Sequence, residues 1–460
     1  MSHPLLSAPI GRSLSRLAGP TTALMLVQIL VAIAEVYFVG RLGTDALAAN
    51  ALVIPFSSLM LNIANGAMGG GVAASLARAL GASRIDDARA IVVHALALAI
   101  VLGLLFTLFD RLFAPTVFGL LGGGTAVAQA LSFSHIFFGS AIAMWASSFL
   151  AALLRGSGDS ATPSLYGFAT SIAYVALAGV LMLGVAGWPG LGLAGLAIAA
   201  LAATLINILA LAHVVWRGGL GFRPSPIRIA LRWKFFRDIL GIGALGSLTT
   251  VTASLAAVLV TGLVGRFGVE ALAGYGIGAR LEFMVAPVAF GIGSGLTTLV
   301  GVAVGAGAWP RAVRATWIGG LTAFVAVGLI GWTVALWPQA WPRLFTADRA
   351  VMAATTAYLT HVAPFYCLFG FGLAVYFASQ GAKRMAVPVA ASIARTIVAT
   401  VGGYLLVEHT TLGLDGVFIA IAAGMITYGG LIAGALFFAP WRDKAVRPSP
   451  ATLSVARDRP

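Results

Sequence analysis

One carboxylate stands apart from the others because it lies inside an apolar stretch. Glu35 sits in VAIAEVYFVG, and we predict that it is the only one of the 14 acidic residues well inside an apolar helix. At membrane depth an ionised carboxylate costs about 2.5–3.5 kcal/mol even on lenient scales. Because such surroundings disfavour the charged form, Glu35 could bind and release a proton near neutral pH. A structural carboxylate paired with a buried donor is the alternative.

Three more charged residues lie in apolar stretches of the second half of the chain. Arg280 and Glu282 are two residues apart, so on a helix they would not face each other, whereas Arg395 lies near the middle of a later apolar stretch. We predict that Glu282 and Arg395 come into contact. An ion pair that fixes the fold is the favoured interpretation, and a second charge-sensitive site is the alternative.

Other polar residues of the first half could line a cavity. Such groups often bond neighbouring helices instead, so we expect about a third of them to face a cavity. They are Gln28, Tyr37, Asn62, Asn65, Tyr174 and Asn207.

The sequence gives no set of residues for catalysis. The six histidines lack metal-ligand spacing. The glycine-rich run Gly66–Ser75 lacks the Lys and Ser/Thr of a phosphate loop and suits close helix packing instead. We therefore expect no enzyme activity, no metal site and no cofactor, so the energy for any transport must come from an ion gradient or a separate subunit.

The composition predicts a protein that spans a membrane many times. Hydrophobic residues make up 60% of the 460 and charged residues only 9%, against about 25% charged in ordinary soluble domains. The net charge of +14 does not indicate nucleic-acid binding, because the Lys and Arg residues fall mainly in short loops. Membrane lipid is the expected environment.

Apolar runs predict an all-α fold of twelve spanning helices. Their expected ranges are 21–40, 50–78, 88–110, 127–153, 163–186, 190–215, 241–264, 275–304, 313–337, 350–379, 386–407 and 413–439. These group into an N-terminal six-helix bundle (1–215), a basic linker (216–240), a C-terminal bundle (241–440) and a tail (441–460).

The distribution of basic residues predicts the orientation. With this helix assignment 21 Lys and Arg lie on the side of the termini and five on the other. The positive-inside rule then places both termini and the linker in the cytoplasm, and we expect a multi-pass protein of a bacterial inner membrane.

The two halves repeat each other in sequence. FVGRLGTDALAAN (38–50) and LVGRFGVEALAGY (263–275) share seven of thirteen residues at an offset of 225, and RGSGDSATP (155–163) aligns with QGAKRMAVP (380–388) at the same offset. Because each half has an even number of helices, the repeats should be parallel. Val260 occupies the position equivalent to Glu35, so the scaffold does not require an acid there.

These segments resemble the multidrug and toxic compound extrusion (MATE) family, as do the length and the 6+6 layout. The resemblance implies a V-shaped pair of bundles that exchanges cationic or amphipathic drugs for protons or sodium ions. Glu35 stands where members commonly have Asp. Tyr174 and Ala178 stand near the Asn and Asp that members carry on helix 5, which favours a proton over sodium.

The expected function is therefore export of small organic molecules by a protein that we expect to be monomeric. A flippase for lipid-linked precursors shares the broader plan and would need a strongly cationic cavity. An intramembrane enzyme or a transport-dead receptor would need a catalytic set or a sensory domain, and the sequence shows neither.

Overall fold

Long apolar helices build the whole fold. The structure is a computed structural model that describes residues 3–185, 187–224, 230–439 and 441. Within these ranges, eleven single helices and one bent pair are long and apolar enough to cross a membrane. The predicted all-α class with twelve spans is confirmed.

The first half contributes six spans. They are α1 (Ile10–Arg41), α2 (Thr44–Gly81), α3 (Ile85–Leu121), α4 (Gly124–Gly139 and Ala141–Ser157, bent by 47°), α5 (Ala161–Leu183) and α6 (Leu193–Gly219). A π-helical turn, Ile63–Met68, interrupts α2, and a second, Val215–Gly219, ends α6.

The second half repeats this order. Its spans are α7 (Trp233–Gly265), α8 (Val269–Ala279 and Glu282–Gly305), α9 (Trp309–Leu336), α10 (Arg349–Ala382), α11 (Ala386–His409) and α12 (Leu414–Phe438). The short break in α8 falls at Arg280, inside the predicted span 275–304.

Several predicted boundaries are wrong because polar residues extend the helices beyond the apolar runs. Helix α1 starts at Ile10 rather than 21, so Pro20 lies in its interior. Helix α7 starts at Trp233, inside the predicted linker 216–240. Of the linker, residues 225–229 lie outside the described residues, and so does the predicted tail apart from Trp441.

Each half has its own core, and the two halves meet at one end of the molecule. A large apolar cluster joins α2, α3, α4 and α6, and a second joins α7, α8, α10 and α12. The first turns of α1 pack on α8 and α9 of the other half. The two bundles form a V. We call the end where they touch, which carries the chain's N-terminal residues, the closed end.

Small residues let the halves approach closely at the closed end. A Cβ atom on Gly81 would lie 2.1 Å from the Val302 carbonyl oxygen, and one on Gly305 would lie 2.2 Å from the Arg78 carbonyl oxygen. Both distances are far below van der Waals contact, so only glycine allows this backbone packing.

Candidate functional site

The Glu35 carboxylate lies between α1 and α5 in the first half. Its Oε1 accepts a hydrogen bond of 2.5 Å from the Tyr174 hydroxyl, and both residues are half-buried. The pair forms because α1 and α5 run side by side in the same direction. Leu24 touches Gly167 near one end of this contact, and Phe38 touches Gly179 near the other.

Few polar groups surround this carboxylate. Tyr174 is the only hydrogen-bond partner of the Glu35 side chain among the residues the structure describes. Ala178, one turn further along α5, is buried and offers no oxygen ligand from its side chain. Tyr37 is 59% exposed and accepts a hydrogen bond from Arg41 at 3.3 Å.

The other polar residues predicted for a first-half cavity have different surroundings. Gln28 is exposed and donates to Ser171 at 3.0 Å, a second polar link between α1 and α5. Asn207 donates to Ser147 at 2.8 Å and so joins α6 to α4. Asn62 is exposed, without a hydrogen bond to any described side chain.

The predicted contact between Glu282 and Arg395 is wrong. No ion pair joins them in the described part of the chain. Glu282 accepts a hydrogen bond of 2.5 Å from the buried Tyr358 hydroxyl. The Arg395 guanidinium instead lies over the rings of Phe369 and Tyr428, 4.9 and 5.9 Å from their centroids. Each charge therefore has its own partners, a tyrosine hydroxyl for the carboxylate and two aromatic rings for the guanidinium.

Arg280 also lacks an acidic partner among the described residues. It is exposed, and its guanidinium lies 5.8 Å from the centroid of the Phe345 ring. Among the described residues, therefore, no ion pair joins these three charged side chains.

A second acid lies inside a spanning helix, contrary to the prediction that Glu35 alone does so. Asp110 is 3% exposed and its Oδ2 lies 2.7 Å from Nδ1 of His135. The prediction is wrong because the predicted span 88–110 ends at this residue, whereas the helix α3 continues to Leu121. The fixed contact to α4 makes this pair a link between two helices.

A charged cluster that sequence reasoning missed ties the halves together at the closed end. Arg78 of α2 lies 2.7 Å from Asp238 of α7 and donates to the main-chain oxygens of Gln380 and Gly381. Lys383 lies 2.5 Å from the same Asp238 carboxylate. The sequence shows that Arg78 and Lys383 are basic, but it does not show that both contact the Asp238 carboxylate.

A narrow cavity lies between the halves just inside the closed end. It holds about 10 Å³, roughly the space of one water molecule. Both halves contribute to its walls: Asn65, Gly69, Gly70, Ala73 and Arg155 come from the first, and Phe290, Ser294, Thr297 and Phe377 from the second. We call it the central cavity. Among the predicted residues, only Asn65 lines it.

Arg155 is the only charged residue on the walls of the central cavity. Among the described residues, no acid, carbonyl or aromatic ring is a partner of its guanidinium. Arg155 is half-buried, and partial removal of a charge from water still costs free energy. Arg155 lies in the last turn of α4, where the helix dipole stabilises a cation by only about 0.3–1 kcal/mol. The dipole alone does not explain an unpaired guanidinium at this position.

Two parallel six-helix bundles with a carboxylate held inside one follow a plan that is seen in membrane transport proteins. Comparison with known families agrees: the profile of the MatE family matches the chain twice, over residues 20–180 and 247–405. The chain belongs to the MatE family. The resemblance seen in the repeated segments is thereby confirmed.

Curated relatives extend over nearly the whole chain. A probable multidrug resistance protein NorM from Thermotoga maritima is 25% identical, covering 95% of this chain and 94% of its own length. An FAD transporter from Shewanella oneidensis is 26% identical over 82% of this chain and 83% of its own. The first relative is named for multidrug resistance and the second for FAD transport.

Solved structures show the same fold. An outward-facing multidrug resistance MATE family transporter of the MOP superfamily superposes with a TM-score of 0.86 at 24% identity, covering 95% of this chain and 96% of that one. A MOP superfamily transporter from Pyrococcus furiosus also gives a TM-score of 0.86 at 24% identity, over 94% and 96% of the two chains.

Proposed function

We propose that this chain exports cationic or amphipathic small molecules across a bacterial inner membrane in exchange for protons. The observation that carries the proposal is the Glu35–Tyr174 pair between α1 and α5. Membership of a family whose curated relatives include multidrug resistance proteins supports drug-like substrates.

Glu35 is the proposed coupling residue because its two charge states require different surroundings. The ionised carboxylate needs the Tyr174 hydroxyl as a donor, whereas the protonated form carries no charge and can do without it. Proton binding therefore removes the desolvation cost and weakens one of the polar links that hold α1 and α5 in this register. A shift of α1 would then alter access to the cleft.

Protons rather than sodium ions are the proposed coupling ion. Sodium prefers several oxygen ligands in a fixed cage, and the Glu35 side chain has one oxygen-bearing partner among the described side chains. A single carboxylate suffices to carry one proton.

Dye transport in proteoliposomes tests the proposal. An imposed pH gradient without sodium should drive transport by the wild-type protein, and Glu35→Gln should abolish it while the protein remains folded. Glu270→Gln, an exposed acid in the first turn of α8, is the matched control and should transport normally. Transport driven only by a sodium gradient, or normal pumping by Glu35→Gln, would contradict proton coupling through Glu35.

The termini and the α6–α7 connection are proposed to be cytoplasmic. The structure brings basic residues from distant loops to the closed end, where Arg311 donates to the main-chain oxygens of Leu5 and Ala8. Arg78 and Lys383 meet there as well. Such a concentration of positive charge on one side favours the cytoplasmic face.

A further inference from the structure

The central cavity presents hydrogen-bond donors that the described part of the protein leaves unused. The guanidinium of Arg155 has no described partner, and it lies on a wall formed by both halves. Asn65 uses its Oδ1 to accept a hydrogen bond from Ser148. Its amide nitrogen donates to no described group, which leaves two kinds of donor beside one small space.

The remaining wall groups neither neutralise nor compete with these donors. Ser294 donates to the Gly291 carbonyl oxygen at 2.9 Å, and Thr297 donates to that of Phe377 at 2.9 Å. Their hydroxyl hydrogens are therefore used by the main chain. None of the residues that line the cavity is acidic.

The sequence repeat shows that this charge is not demanded by the packing. Position 380, which is 225 residues after Arg155, is Gln380. Gln380 is fully buried in the same interface and donates to the Gly66 carbonyl oxygen at 3.1 Å. A neutral amide thus fills the equivalent position and finds a partner in the opposite half, whereas Arg155 brings a charge and finds none.

Aromatic rings border the same space. Phe290 and Phe377 meet edge to face with their centroids 5.0 Å apart, and both line the cavity. A planar aromatic body could lie against these rings while an attached anion reaches the guanidinium.

We propose that Arg155, assisted by the Asn65 amide, binds an anionic group of the transported molecule, a carboxylate or a phosphate on an aromatic body. This inference depends on the proposed function in one respect, that the occupant is a substrate. In this state the cavity has room for about one water molecule, so the two halves must move apart before the anionic group can reach Arg155. An anionic lipid headgroup has the same chemistry and is the alternative source.

Two dyes that differ at one group test the inference. Rhodamine 110 carries a free carboxylate, and rhodamine 123 is its methyl ester. Binding of each dye is measured by fluorescence polarisation on the purified full chain in nanodiscs of neutral lipid. Arg155→Gln should weaken rhodamine 110 binding about tenfold, since losing one hydrogen bond to a charged group changes the affinity by about this factor. Rhodamine 123 binding should change by less than about twofold.

Matched variants separate charge from folding. Arg155→Lys keeps the charge and should retain part of the preference for the carboxylate dye. Arg217→Gln, an exposed arginine near the end of α6, should leave both dyes unaffected. Unchanged binding of the ester dye shows that Arg155→Gln is folded.

The inference is overturned if wild-type protein does not bind rhodamine 110, or if Arg155→Gln weakens both dyes equally or neither. Phosphatidylglycerol is then added to the nanodiscs. If it competes with rhodamine 110 only when Arg155 is present, the site binds lipid and the substrate assignment is wrong. Binding needs no ion gradient, so it tests the anion site separately from transport. Arg155-dependent binding without transport would contradict the proposed function and the assignment of the occupant as a substrate, but not the anion site.

Discussion

At the scale of single residues, the tyrosine beside Glu35 sets the properties of that carboxylate. Tyr174 donates at 2.5 Å and so stabilises the ionised form, while the apolar surroundings oppose it. The balance between these effects decides at which pH Glu35 exchanges a proton.

Removing this donor should move the pH dependence of transport. In Tyr174→Phe the ionised form of Glu35 loses its hydrogen bond, so the proton is released only at higher pH. The pH midpoint of dye efflux should rise by about one pH unit. Efflux from proteoliposomes across a pH series measures it, with the exposed Tyr37→Phe as control. A midpoint that stays in place or falls would show that Tyr174 does not stabilise the charge.

At the scale of helices, the closed end depends on backbone contacts that only glycine allows. Gly81 lies against the Val302 carbonyl, and Gly305 against that of Arg78. The Arg78–Asp238 ion pair lies next to these contacts. Helix spacing and the charged cluster therefore stabilise the same junction between the halves.

A methyl group at this crossing should weaken the junction. In Gly81→Ala the new Cβ would meet the Val302 carbonyl oxygen at 2.1 Å, and overpacking of this kind costs about 1–3 kcal/mol. Gly241 of α7 has no atom within 4 Å of its would-be Cβ, so Gly241→Ala should be neutral or slightly stabilising. Thermal unfolding of the purified proteins compares them. Equal midpoints for both variants would contradict close packing at Gly81.

At the scale of the whole molecule, the repeat and the charge asymmetry determine the architecture together. The family profile matches each half once, and the two halves carry the FVGRLG and LVGRFG segments at equivalent places. The two halves also meet at the closed end through Arg78, Asp238 and Lys383.

Cysteine labelling of intact cells tests the proposed orientation. The only cysteine, Cys367, is buried and is replaced by Ser to give a silent background. Arg217→Cys, near the end of α6, should react with an impermeant reagent only after the membrane is broken. Arg266→Cys, between α7 and α8 at the opposite end, should react in intact cells. The reverse pattern would place the termini outside. Arg228, in the predicted linker, lies outside the described residues.

The sequence by itself determined the fold class, because a run of about 20 apolar residues has few stable states other than a spanning helix. It also determined the internal repeat and marked Glu35 as unusual, since both are properties of the chain read in order. Helix ends were less predictable: α1 and α3 continue through charged residues that an apolar count excludes.

Only the tertiary structure decided which side chains meet. Glu282 and Arg395 have opposite charges, yet Tyr358 and the Phe369 ring are their partners. Arg155 and Asn65 are 90 positions apart and line one cavity with residues of the other half. Helix packing is set by the shapes of many small residues at once, so the distances between polar groups on different helices cannot be read from their order in the chain.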